Sequence, residues 1–332
     1  MFRSLEFVNR LKRLAAVGGF ALAAMVCLRA EPSSAAQLLV ANGGTRSILR
    51  YDAQTGAFID DFTSGGGLVG PGLMTQGPDG NLYVADWLTS RVLRYDGTSG
   101  LFIDVFASGS GLDQPGGVDF GPNGNFYVAS SFSNEVLRYE GGTGAFVDAF
   151  ASGANVAAPL DMLFGPDGNL YVGNVFGPHV TRYDGTTGQF IDVFASGGGL
   201  SLTGSIEFGP DGSLFVSDIQ GGKVFRYDGS TGAFLDVFLD DAAVANVVDF
   251  TFGPDGNLYV SYNDGGEIPT GGVRRYDGAT GEFIDAFISG GVLDGAGALL
   301  FIPEPSSLAL AGCGLVALVA WCRRRRIGQR TP

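Results

Sequence analysis

The sequence predicts an all-β protein: a six-bladed β-propeller of four-stranded blades over residues 37–302. Three observations predict it. Gly-Pro-Asp-Gly begins at Gly77, Gly165, Gly209 and Gly253, with Gly-Pro-Asn-Gly at Gly121, and every step is 44 residues. An Arg-Tyr-acid triplet begins at Arg50, Arg94, Arg138, Arg182, Arg226 and Arg275, in steps of 44 and finally 49. The ends of the array complement each other. The first copy opens at Leu38–Asn42, which aligns with Leu82–Asp86, so it lacks a first strand. Residues 297–302 read as a first strand with no blade of their own, and are expected to complete the first blade and close the ring.

Each unit divides into four short strands rich in β-branched and aromatic residues, bounded by turn residues. In the second unit these are GLMTQ, NLYVAD, RVLRYD and LFIDVFA. Pro-Asp-Gly-Asn marks a tight turn and Asp-Gly-Thr-Ser-Gly a longer one. Leucine-rich repeats would need shorter units with one strand each. Every Arg of the triplet has an Asp ten residues later: Arg50 with Asp60, Arg94 with Asp104, and so on to Arg275 with Asp285. The intervening turn would pair them across the third and fourth strands, a structural role. The fourth strands repeat two Phe four apart, such as Phe102 and Phe106, expected on one face as packing between blades.

The ends read differently. Arg3, Arg10, Lys12 and Arg13 precede an apolar stretch, Leu14–Leu28, and a small-x-small site ends at Ala36. Residues 1–36 are therefore expected to be a secretory signal peptide. At the other end, Pro303-Glu304-Pro305 precedes the apolar run Leu308–Cys322 and the cluster Arg323, Arg324, Arg325 and Arg326. As a helix that run spans about 22 Å, short of the roughly 30 Å hydrocarbon core but workable with snorkelling arginines and bilayer thinning. The arginines would stay cytoplasmic. Residues 303–332 resemble the bacterial PEP-CTERM sorting tail. The resemblance implies an exosortase-type processing enzyme as partner, transient or retained anchoring in the inner membrane, cleavage near Pro-Glu-Pro, and delivery to the cell surface or extracellular matrix.

Composition narrows the function. Residues 37–302 carry ten basic and 31 acidic side chains, a net charge of about −21. Such a surface repels phosphate backbones, which excludes nucleic acid as a partner. Cys27, Cys313 and Cys322 all lie in the terminal segments, so the repeat domain has no thiol for a disulfide, a zinc site or a nucleophile. The glycine-rich loops are not phosphate cradles, because no Lys-Ser/Thr follows them and Lys223 is the domain's only lysine.

The repeat resembles the NHL repeat, carried by QPGGVDFGPNGNFYVAS at Gln114–Ser130. That resemblance implies the propeller architecture and leaves function open, because such folds host enzymes and binders alike. Function should then sit where the copies differ. The Gly-Pro-Asp-Gly and Asp-Gly-Thr-Ser-Gly turns share one nearly uniform rim. The opposite rim varies and carries the binding candidates Trp87, Phe132, Phe176 and His179. It also carries Tyr262, Asn263 and Asp264 at the insertion spanning Asn263–Thr270. Aromatics beside acids suit a polysaccharide or protein ligand. Asn42, Asp86, Ser130, Asn174, Asp218 and Tyr262 end the second strands and would form a polar belt near this rim.

Asp119, Asp161, Glu207 and Asp249 on the innermost strands offer carboxylates to a divalent cation; the plainer reading is that they bond to neighbouring backbone. No catalytic residue is predicted. The alternative to a non-catalytic scaffold is a metal-dependent propeller enzyme, lactonase-like or lyase-like. Gluconolactonase and regucalcin relatives hold a central metal through Asn or Asp after the Pro that opens an innermost strand. The equivalent positions here are Gly72, Gly116, Leu160, Gly204, Val248 and Ala298, and none coordinates through a side chain. Streptogramin lyases rely on histidine, and His179 is the single histidine, expected in a variable loop.

Overall fold

A computed structural model describes residues 36–63, 65–244, 246–263 and 271–303. The expected signal peptide before Ala36, Asp264 with the rest of the insertion, and the tail from Glu304 through Arg326 lie outside the described residues.

The first blade holds β1 (Ala36–Asn42), β2 (Ser47–Asp52) and β3 (Phe58–Asp61). The second holds β4 (Pro71–Gln76), β5 (Leu82–Asp86), β6 (Arg91–Tyr95) and β7 (Phe102–Ser108). The third holds β8 (Pro115–Phe120), β9 (Phe126–Ser130), β10 (Glu135–Tyr139) and β11 (Phe146–Ser152). The fourth holds β12 (Pro159–Phe164), β13 (Leu170–Asn174), β14 (His179–Tyr183) and β15 (Phe190–Ser196). The fifth holds β16 (Thr203–Phe208), β17 (Leu214–Asp218), β18 (Lys223–Tyr227) and β19 (Phe234–Asp240). The sixth holds β20 (Asn246–Phe252), β21 (Leu258–Asn263), β22 (Gly271–Tyr276) and β23 (Phe283–Ser289). Last comes β24 (Ala296–Pro303), which joins the first sheet in the order β24-β1-β2-β3. The ring is thus closed by the C-terminal strand, and each blade is a four-stranded antiparallel sheet.

Apolar residues bury themselves between blades, in one cluster per interface. A repeated aromatic contact organises five of the six clusters; between the first and second blades Leu39 takes the place of the central ring. Tyr83 meets Phe106 edge-on at 4.8 Å and Phe120 of the next blade at 5.0 Å. Such pairs add about 0.5–1.5 kcal/mol beyond the area they bury. Tyr259 repeats the contact with Phe301 of β24 at 4.9 Å, so the closing strand completes the last interface as well as the first blade.

All six Arg–Asp pairs form across the third and fourth strands. Each guanidinium also lies over a Phe in the fourth strand or, for Arg50, just after it, at 4.8–5.3 Å from the ring centre. The aspartates are 43–46% exposed, so solvent screening holds each ion pair to about 0.2–1 kcal/mol. The Phe contact contributes about 0.5–1 kcal/mol more.

The two phenylalanines of a fourth strand do not share one face. In β7 the register shifts twice, so Tyr95 pairs with Phe102 while Phe106 falls outside the ladder. Phe102 packs toward the first blade and Phe106 toward the third. A bulge re-aims a side chain, which the even spacing alone does not foresee.

Candidate functional site

The chain direction puts the Gly-Pro-Asp-Gly turns on one rim and the second-to-third-strand turns, with the blade-to-blade loops, on the other. The second rim is the strained one. Six described non-glycine residues have positive φ, namely Arg46, Ser90, Ser110, Gln114, Asn134 and Ala158, and all lie on this rim. Each costs of order 1 kcal/mol and persists only where surrounding bonds enforce it. Those bonds run between blades. Ser90 Oγ accepts from Gln114 N at 3.1 Å, and Asn134 Oδ1 accepts from Ala158 N at 2.8 Å.

The polar belt is built as loop clamps. Asp86 accepts from Gly70 N at 2.8 Å and from Arg91 at 3.1 Å. Ser130 accepts from Asp113 N at 2.9 Å, and Asn174 from Ala157 N at 2.8 Å. Asp218 accepts from Ser201 N at 2.9 Å, and Asn42 from Asp294 N at 3.0 Å. All five are buried, so each satisfies the loop entering its own blade, with nothing left over for a ligand.

Above this frame lie two adjoining cavities. The larger, about 370 Å³, sits at the mouth of the central channel. Its walls include Trp87, Leu88, Gly72, Leu160 and Val248, and its floor Leu73, Ser205 and Ala298. The second, about 270 Å³, lies beside it between the second, third and fourth blades. Trp87, Phe132, Val175 and Phe176 line it, with Ser131 and Asn134. Trp87 belongs to both and meets Phe132 edge-on at 6.2 Å. Phe176 is 80% exposed, Leu88 64% and Phe132 62%, an apolar crescent over three blades. Their backbones are fixed, because Trp87 N donates to Gly70 O at 2.8 Å and Phe132 N to Asp113 O at 3.2 Å.

The structure therefore brings Trp87, Phe132 and Phe176 together and leaves the other rim candidates apart. His179 is not in a loop: it opens β14, half-buried on the third strand, and lines neither cavity. Burial lowers its pKa from the ordinary imidazole value. Tyr262 does not join the polar belt; it packs on the core between the fifth and sixth blades. Asn263 ends β21 beside Asn246, away from both cavities. Leu88 and Val175 escaped sequence reasoning. Aligning the two residues after each second strand gives Trp87-Leu88, Ser131-Phe132 and Val175-Phe176, a signal that would have found them.

The channel below is lined by the innermost strands β4, β8, β12, β16, β20 and β24. Their acids follow one rule: each carboxylate reaches the next blade. Asp161 accepts from Ile206 N on β16 at 2.8 Å, and Asp249 from Leu299 N on β24 at 2.8 Å. Glu207 accepts from Phe252 N at 3.4 Å, and Asp119 is drawn to the Phe164 N–H. The free backbone donors of an innermost edge strand are satisfied this way. Desolvation raises Asp161 and Glu207 to about 8 and Asp119 and Asp249 to about 6. Asp249 and Asp119 add repulsion at Asp161, as Asp249 and Asp161 do at Glu207.

These bonds also correct the strand alignment. Asp161 pairs with Ile206 as Asp249 pairs with Leu299, so Gly297, and not Ala298, stands where Gly72 does. That position still offers no metal-ligating side chain in any blade. Among the described residues no group of three His, Cys, Asp or Glu side chains converges as a metal site would require.

Comparison with known proteins decides one end of the chain. Residues 301–326 match the PEP-CTERM protein-sorting motif. The PEP-CTERM motif is a sorting signal of exported proteins, recognised by exosortase. It begins within β24, two residues before Pro303. No curated protein matches the chain. Among solved structures, a protein of unknown function from Bacteroides caccae is similar at 15% identity and TM-score 0.62, covering 82% of this chain and 100% of its own. A catalytically inactive histidine-to-alanine variant of virginiamycin B lyase from Staphylococcus aureus, with quinupristin, is similar at 15% identity and TM-score 0.54. That match covers 75% of this chain and 84% of the lyase. At such identities the likeness is one of fold.

Proposed function

We propose that this is a non-catalytic surface or matrix binding module, exported through a cleaved leader at residues 1–36 and processed at the tail from residue 303. Its ligand is a protein segment that places apolar side chains in the two rim cavities. The observation that carries this reading is the pair of adjoining apolar cavities sharing Trp87 on a strained, hydrogen-bonded rim. A polysaccharide would need directed bonds to its hydroxyls. The rim's buried polar groups are already engaged by the loops, which favours an apolar polypeptide contact over a glycan.

A displayed peptide library and a glycan array test this together. Peptides with apolar anchors are expected to bind. Changing Trp87, Phe132 and Phe176 to Ala is expected to weaken them at least tenfold, which corresponds to about 1.4 kcal/mol. Selection of glycans alone would overturn the protein reading, and binding indifferent to the three substitutions would move the site off this rim.

A further inference from the structure

The apolar channel mouth stands over four carboxyl groups that have backbone N–H donors but no cationic side chain among them. Ser205 lies on the cavity floor, on the strand between those of Asp161 and Asp249. Its hydroxyl donates to the Val248 carbonyl beside Asp249, at 3.4 Å, and the next residue, Ile206, donates its N–H to Asp161 at 2.8 Å. Leu73, Gly117, Asp161, Ser205, Asp249 and Ala298 occupy one level of the ring, and three of them line the cavity. Asp119 and Glu207 lie one level deeper. None of the ten cationic side chains of residues 37–302 sits on an innermost strand. Six belong to the Arg–Asp pairs, three more pair with Asp86, Asp240 and Asp241, and Arg46 sits on a rim turn.

We propose that the channel mouth binds an alkylammonium group, a lysine-type side chain whose apolar stem fills the cavity and whose cation faces Asp161 and Asp249. This rests on the reading of the rim as a protein-binding face. The chemistry is that of a snorkelling amine: methylenes against Trp87, Leu160 and Val248, and charge toward the acids. Burial of those acids without a cation leaves them costly to ionise, and an entering ammonium relieves that cost. The protein's charge of about −21 over residues 37–302 draws such a ligand in.

Calorimetric titration of residues 36–303, which hold every described strand and core cluster, tests this with four probes: hexylammonium, hexanol, hexanoate and ammonium. Hexylammonium is expected to bind at least tenfold more tightly than hexanol or hexanoate. That preference is expected to grow from pH 5 to pH 9 as Asp119, Asp161, Glu207 and Asp249 ionise. Asp161→Asn with Asp249→Asn keeps an acceptor for each backbone N–H and is expected to erase the preference. Trp87→Ala is expected to weaken hexylammonium and hexanol alike. Equal binding of hexanol and hexylammonium would overturn the ammonium site and leave the apolar rim standing. Ammonium binding as tightly as hexylammonium would also overturn it, leaving a simple cation site. If neither hexylammonium, hexanol nor hexanoate binds, the rim reading falls with it. Should the double variant fail to fold, a flat pH series on the unaltered protein is sufficient to refute the proposal.

Discussion

Asp161 spends both carboxylate oxygens on backbone donors, Met162 N and Ile206 N, each at 2.8 Å. It does so where burial and Asp249 make its ionised form costly, holding its pKa at about 8. An unfolded aspartate loses its proton near 4. Between those values the folded chain holds a proton that the unfolded chain lacks, so stability falls as pH rises from about 4 to about 8. Glu207, also at about 8, acts in the same direction. Turn acids such as Asp52 and Asp96 are held below the usual range by hydrogen bonds, and their contribution is lost only as pH falls below that window. The denaturation midpoint is therefore expected to be higher at pH 5 than at pH 8, and Asp161→Asn to flatten the slope; equal midpoints in the unaltered protein would contradict this. The Arg–Asp pairs were legible in the sequence because the same spacing recurs in every copy. The four channel acids were legible as far as their strands and their bonding to neighbouring backbone; which N–H of the next blade each one meets was not, because that depends on how neighbouring inner strands are staggered. His179 misled for a related reason: a lone residue beside a variable loop gives no sign of the strand it opens.

At the scale of an element, the blade repeats its contacts as faithfully as its letters. The turn after each third strand presses a glycine onto the preceding blade. At Gly144, with φ of 70°, an added Cβ would lie 1.8 Å from the Phe106 carbonyl oxygen. Gly142, two residues earlier, faces open space. Gly144→Ala is expected to cost about 2–4 kcal/mol, from backbone strain plus a displaced interface. Gly142→Ala is expected to stay within about 0.5 kcal/mol. Urea unfolding of the two variants checks the contrast, and similar losses would mean that the turn and not the interface sets the cost. Strand number, order and turn types could be read from the repeat because each copy restates them. Side-chain direction in the fourth strand could not, because Phe102 and Phe106 are separated by register shifts that even spacing hides.

Across the whole molecule, closure and sorting meet in one strand. β24 supplies Phe301 to the last interface and Leu299 to Asp249, yet the sorting motif already begins at residue 301. A cut beyond Pro303 would leave every contact of β24 in place, whereas a cut before Phe301 would remove the phenyl ring that Tyr259 packs on. The variable rim faces away from the uniform turns, and Trp87 stands between its two cavities. Trp87 and Trp321 are the protein's two tryptophans, so in residues 36–303 the emission of Trp87 reports on the rim alone. The most direct measurement is that emission, followed while a peptide from the displayed library is titrated in. A saturable blue shift with the same midpoint as calorimetric binding is expected. Calorimetric binding that leaves the Trp87 emission unchanged would contradict a ligand site on this rim.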